Sequence, residues 1–130
     1  MADRILIIEM GPSLGEDVVL ALAKAGFSVA CVHGYPEVLV SLEVFKPDII
    51  ILGNTSKDSL DMCRHLHTAF RLPVILIGKD SGSEIWRKAL LEAEAECYVR
   101  RPFSTEVLVA RMKAVLRRYR QCPIFPTALL

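Results

Sequence analysis

Residues 48–53 read Asp-Ile-Ile-Ile-Leu-Gly, with Pro47 before them and a glycine closing the run. Four consecutive apolar residues, three of them β-branched, are too few for a helix and suit a strand. The run lacks the apolar–polar alternation of a half-exposed strand, so both of its faces are expected to be buried. That is the condition of a strand inside a parallel sheet. Two more stretches share the pattern, RILIIE at 4–9 and PVILIG at 73–78, and shorter strands are expected at 27–33 and 97–100.

The segments between these runs are amphipathic and carry helix punctuation. Ser13 followed by Glu16 forms a capping box, opening a helix that buries Val18, Leu22 and Ala25 and stops at Gly26. Pro36 in a first turn opens a helix with Val38, Leu39, Leu42 and Phe45 facing inward, ended by Pro47. Helices are also expected over 59–70, capped by Asp58 or Ser59, over 84–94, and from the cap Ser104 to about Arg120. Strands centred near residues 5, 28, 49, 74 and 98 are thus each followed by one helix. Strict alternation of this kind predicts an α/β chain, a doubly wound (βα)5 three-layer sandwich with right-handed crossovers around a five-stranded parallel sheet. Sites in such folds lie at the carboxyl ends of the strands, which are residues 9–11, 53–55, 78–79 and 100–101 here.

Composition narrows the function classes. With 130 residues, 52% of them hydrophobic and 24% charged, the chain supports its own core and does not read as disordered. A formal charge of +1 argues against a protein wrapped on nucleic acid. No apolar run approaches the ~20 residues needed to span a bilayer. Without a signal-peptide pattern after Met1, a cytoplasmic location is expected. The four cysteines, Cys31, Cys63, Cys97 and Cys122, are widely spaced and read as reduced, mostly buried thiols. Cys63 and His67 stand one helical turn apart, but with no third ligand in view they make no metal site.

The stretches ILIIEMGPSL (5–14), KPDIIILG (46–53), LPVILIG (72–78) and LEAEAECYVRRPFSTEVLVARMKAVLRR (91–118) carry a specific resemblance. Over about residues 3–120 the chain resembles the receiver domains of bacterial two-component response regulators, the CheY-like superfamily. The last stretch is most similar to receivers that precede winged-helix DNA-binding domains. The resemblance implies a flavodoxin-like sheet of strand order 2-1-3-4-5 and a role in phosphorelay signal transduction. Residues 121–130 (QCPIFPTALL) match nothing in a receiver and are expected to be a tail or the start of a linker.

The family's chemistry needs five positions, and this sequence departs at nearly all of them. The phosphoacceptor aspartate at the end of the third strand corresponds to Gly53. The acid pair that holds Mg²⁺ corresponds to Glu9 and Met10, and a thioether is a poor magnesium ligand. The hydroxyl residue that follows the phosphoryl group corresponds to Gly78, with Lys79 beside it, and the lysine that binds the phosphoryl oxygens corresponds to Arg101, before Pro102 and Phe103. Phosphoryl transfer is mostly positioning and charge neutralisation, so with these groups absent the chain is expected not to be phosphorylated. No catalytic residue, no metal site and no cofactor is expected, with Mg²⁺ binding lost or weak, and Glu9 and Arg101 are expected to pair where the metal sat.

Output in related receivers passes through an aromatic on the fifth strand, here Tyr98, and through a face made by the helix over 84–94, the fifth strand and the last helix. Candidates on that face are Arg87, Lys88, Glu96 and Arg111, with Cys97 where the family pattern has an acid. A protein partner or a homodimer is the expected ligand, with no membrane, and nucleic acid only through a possible effector domain. The basic residues Arg111, Lys113, Arg117, Arg118 and Arg120 come without an aromatic platform and suit a helix carboxyl end. Alternatives are a phosphorylatable receiver using Asp58 or Glu9, and a sensor of small anions in a pocket of Glu9, Lys79 and Arg101. The sensor would control a DNA-binding effector, and a further alternative is dimer-based regulation of transcription through such an effector domain.

Overall fold

The computed structural model describes residues 2–9, 15–53, 57–79, 91 and 95–121. Its inner strands are β1 (Arg4–Ile8), β3 (Ile49–Leu52) and β4 (Val74–Lys79), flanked by β2 (Ser28–Val32) and β5 (Cys97–Arg101). All pairings are parallel and the order is β2-β1-β3-β4-β5. Ile5, Leu6, Ile7, Ile8, all of β3, and Val74 to Ile77 are 0% exposed, so the unbroken apolar runs are explained by cover on both faces.

Side chains alternate between the two faces and build two cores. Ile5, Ile7, Ile49, Ile51, Ile75 and Ile77 pack against α1 (Glu16–Lys24) and against α4 (Thr105–Gln121), through Leu22, Leu108 and Met112. Leu6, Ile8, Ile50, Leu52 and Leu76 pack against α2 (Tyr35–Val44) and α3 (Lys57–Phe70), through Val38, Cys63 and Leu66. The doubly wound three-layer sandwich expected from the sequence is therefore present. The helix expected over 84–94 lies outside the described residues, except for Leu91.

Local punctuation is partly as expected. α1 closes on a Schellman motif: the Phe27 N–H donates to the Leu22 carbonyl and the Gly26 N–H to that of Ala23, with Gly26 at φ +101. Ser104 caps α4, its Oγ accepting from the Val107 N–H at 3.0 Å.

Four expectations are corrected. α1 begins at Glu16 with Gly15 as N-cap and no side-chain cap, while Ser13, the expected cap, lies outside the described residues. Gly15 sits at φ 105, ψ 153, a region open essentially to glycine, and that backbone supplies the entry. α3 starts two residues earlier than expected, at Lys57, which places Asp58 and Ser59 inside its first turn instead of at the cap. Leu39 points outward at 44% exposure, because α2 is apolar around most of its circumference and only one stripe can face the sheet. Among the described cysteines only Cys63 is buried; Cys31 is exposed on the edge strand β2 and Cys97 half-buried on β5. No described group of three or more His, Cys, Asp or Glu side chains is placed to hold a metal.

Two leucines on α1 separate packing from propensity. Leu22 is fully buried and Leu20 is 57% exposed. Leu22→Ala is expected to lower the unfolding free energy by about 3 kcal/mol, and Leu20→Ala to change it by less than ~0.5 kcal/mol. Urea denaturation followed by circular dichroism checks both, and similar losses for the two would contradict the packing assigned to α1.

Candidate functional site

Main-chain pairing fixes the strand ends before any side chain acts. The Gly53 N–H donates to the Ile8 carbonyl at 3.0 Å, and the Glu9 N–H donates to the Val32 carbonyl at 2.9 Å. Glu9 and Gly53 therefore stand side by side past β1 and β3, while the β4–β5 register puts Lys79 opposite Arg101. These strand ends gather Glu9, Gly53, Gly78, Lys79 and Arg101 at one pole, as the sequence led us to expect. Met10 lies outside the described residues.

The expected Glu9–Arg101 ion pair is not what forms. Arg101 reaches across the end of β4, and its Nη2 donates to the Gly53 carbonyl at 3.4 Å. Glu9, 7% exposed, lies with Oε1 3.4 Å from Nδ1 of His33, the residue after β2. The reason is register: Ile8 pairs with Val32, so the residue following β2 arrives beside the residue following β1. His33 is also anchored through its N–H, which donates to Glu37 Oε1 at 3.0 Å. Sequence reading missed His33, and the register of β1 on β2 was the signal that would have found it. Partial burial pushes the Cys31 thiol up, and the Glu9 carboxylate adds to the shift.

Among the described residues at these strand ends Glu9 is the one carboxylate. Gly53 offers a carbonyl and Gly78 no hydroxyl, and the Arg101 guanidinium is engaged with the main chain. The described residues there can hold a charge in place.

A second region is built by β5 and α4. Arg111 Nη1 donates to Cys97 Sγ at 3.2 Å. These two residues line an open groove of about 310 Å³ together with Val107, Ala110, Ala114 and Arg118. Glu96 precedes β5, its N–H donating to the Val74 carbonyl at 2.8 Å. Tyr98 is half-buried on β5 and packs on the α2–α3 side of the sheet. Arg87 and Lys88 lie outside the described residues.

No family model matches the chain. Solved structures do. An orphan response regulator of H. pylori is 22% identical, with 88% of this chain and 97% of that one covered at a TM-score of 0.74. A response regulator from Thermotoga maritima is 20% identical over 90% and 99% of the two chains, at a TM-score of 0.79. This is the receiver fold of response regulators. An atypical orphan response regulator, described as revealing a phosphorylation-independent regulatory mechanism, is 24% identical over 89% and 97% at a TM-score of 0.75. In the described part of this receiver fold no helix is long and apolar enough to cross a membrane.

The raised pKa of Cys31 has a sign that can be checked. The folded chain keeps the thiol protonated at pH values where the unfolded chain releases the proton, so this group's contribution to stability falls as pH rises through that interval. Alkylation of Cys31 by iodoacetamide, followed by mass spectrometry of its peptide, is expected to have its midpoint above the ordinary thiol pKa. In Glu9→Gln the midpoint should move down, since one of the two causes is removed. An unmoved midpoint would exclude Glu9 as a neighbour of the thiol.

Proposed function

We propose that this chain is a receiver-like signalling module that is not phosphorylated and acts through contacts with other proteins, in the cytoplasm and without a catalytic step of its own. One observation carries the reading. At the end of β3, where a receiver places its acceptor carboxylate, stands Gly53, buried and with its carbonyl taking a hydrogen bond from Arg101. Mg²⁺ binding is lost or weak in the same reading, because Glu9 is the one carboxylate among the described residues there and lies beside His33. The orphan regulator described as phosphorylation-independent supports this by example, since it shares the fold at 24% identity.

The output surface in this reading is β5 with α4 and the preceding segment, binding a protein partner or a second copy. Arg111 has a thiol, Cys97, as its neighbour and no ionic partner among the described residues, so in this reading that partner is supplied from outside. Exposed Val107, at 44%, adds apolar area to the same patch. Residues 1–120 act as the receiver-like unit and 121–130 as its tail or linker.

The test uses the phosphodonor itself. After incubation with acetyl phosphate and Mg²⁺ the intact mass is expected to stay unchanged. Beryllofluoride with Mg²⁺ should leave the amide resonances of Glu9, Gly53 and Arg101 where they were. A mass gain of one phosphoryl group, lost in Asp58→Asn or in Glu9→Gln, would establish a live acceptor carboxylate and overturn the proposal.

A further inference from the structure

The sheet has two edge strands, and they differ in kind. β5 carries Arg100 and Arg101, whereas β2 reads Ser-Val-Ala-Cys-Val, with no charge and no proline. The register of β2 on β1 is unbroken, so no bulge bends it away. A strand edge without charge, proline or bulge is a template for pairing with another strand.

Main-chain pairing identifies the groups on that edge. The Ser28 N–H donates to the Asp3 carbonyl and the Val32 carbonyl accepts from the Glu9 N–H, so residues 28, 30 and 32 turn their main-chain groups toward β1. Val29 and Cys31 therefore turn theirs outward, two N–H and two C=O groups, and no described strand pairs with them. Beyond these two residues the edge is closed. The Phe27 N–H donates to the Leu22 carbonyl, and the His33 N–H donates to Glu37 Oε1 at 3.0 Å.

Glu37 reaches an outward N–H, so its side of α2 looks to the free edge of β2. Val40 and Val44 follow it three and seven residues on, in one stripe of the helix, and are 62% and 77% exposed. The open edge is thus flanked by apolar side chains that a neighbour can cover.

We propose that β2 pairs antiparallel with β2 of a second copy about a two-fold axis through Ala30, giving a continuous sheet of ten strands, five from each copy. In this register Val29 faces the partner's Cys31, and Cys31 faces the partner's Val29. Each pair exchanges two N–H···O bonds, so every outward group of both edges is used. Moving the axis to Val29 or to Cys31 would set one pair against the closed ends at Phe27 or His33. Ala30 meets its own equivalent at the axis, where small side chains let the strands close.

The two α2 helices then run antiparallel on one side of the sheet, with the Val40 and Val44 stripes toward each other. The end of one that carries Glu37 comes beside the end of the other that Lys46 follows, opposite in sign and both exposed. A second copy is the occupant because the two-fold supplies matching main-chain groups, apolar stripe and end charges together. This edge lies away from Gly53 and from the Arg111 groove, so the proposal stands or falls separately from the reading given above.

Sedimentation equilibrium on the full chain tests it, with the dimer expected to be half-formed at roughly 10–100 μM, as suits a small interface. Val29→Pro removes an outward N–H that β1 does not use, and should weaken the dimer about tenfold or more. Val40→Lys leaves the strand untouched, sets like charges across the axis, and should weaken it similarly. Val107→Lys, on the β5–α4 face, should leave the dissociation constant within about twofold. In Ala30→Cys, mild oxidation should link two copies through residue 30, read by mass spectrometry of the joined peptide. Ser28→Cys, which faces the partner's Val32, should give no link at residue 28. Circular dichroism confirms that the variants fold. A chain that stays monomeric at about 500 μM overturns the proposal. So does a dimer that Val40→Lys leaves intact, or the absence of the link at residue 30. A dimer lost in Val107→Lys instead would assign self-association to the β5–α4 face, and that also overturns it.

Discussion

Everything in this molecule rests on a sheet that must be covered twice. A parallel sheet with Ile, Leu and Val on both faces of β1, β3 and β4 has no face to give to water, so helices are required on each side. Each of these buried side chains contributes on the order of 1.5–3 kcal/mol. The inner strands therefore supply a large share of the favourable side of folding. Helix ends, caps and surface charges adjust a structure whose layers are already determined.

That division lets the layers stand whatever side chains the strand ends carry. Gly53 and Glu9 are located by main-chain hydrogen bonds to Ile8 and Val32, which any residue can make. An acid left at such a place still needs a neighbour, because a buried carboxylate without one is costly. His33 supplies that neighbour from the adjacent strand end, and Arg101 finds the carbonyl of Gly53.

The strands, the layers and the pole that holds the strand ends were legible in the sequence, because unbroken apolar runs such as Ile49–Leu52 admit few other readings. Gly26 was legible as a helix stop for a local reason, the φ > 0 that only glycine takes readily. Gly15 was not, since Ser13 and Glu16 offered a cap of familiar spacing and the helix began by backbone geometry instead. Ser59 misled in the same way: a polar residue near a helix start reads as a cap, yet it is buried in the first turn of α3. The Glu9–His33 contact was hidden because it joins residues 24 apart in sequence through the pairing of Ile8 with Val32. Contacts set by register between strands leave no periodicity to read.

The ion pair of Asp3 with Arg120 places the first strand's entrance next to the last helix's exit. A folded unit whose two ends emerge side by side can be spliced into an exposed loop of a host protein, since both junctions leave from one spot and the host's own chain need not be parted. It can equally be strung in series with other modules, each hanging from the string like a bead on a short stalk.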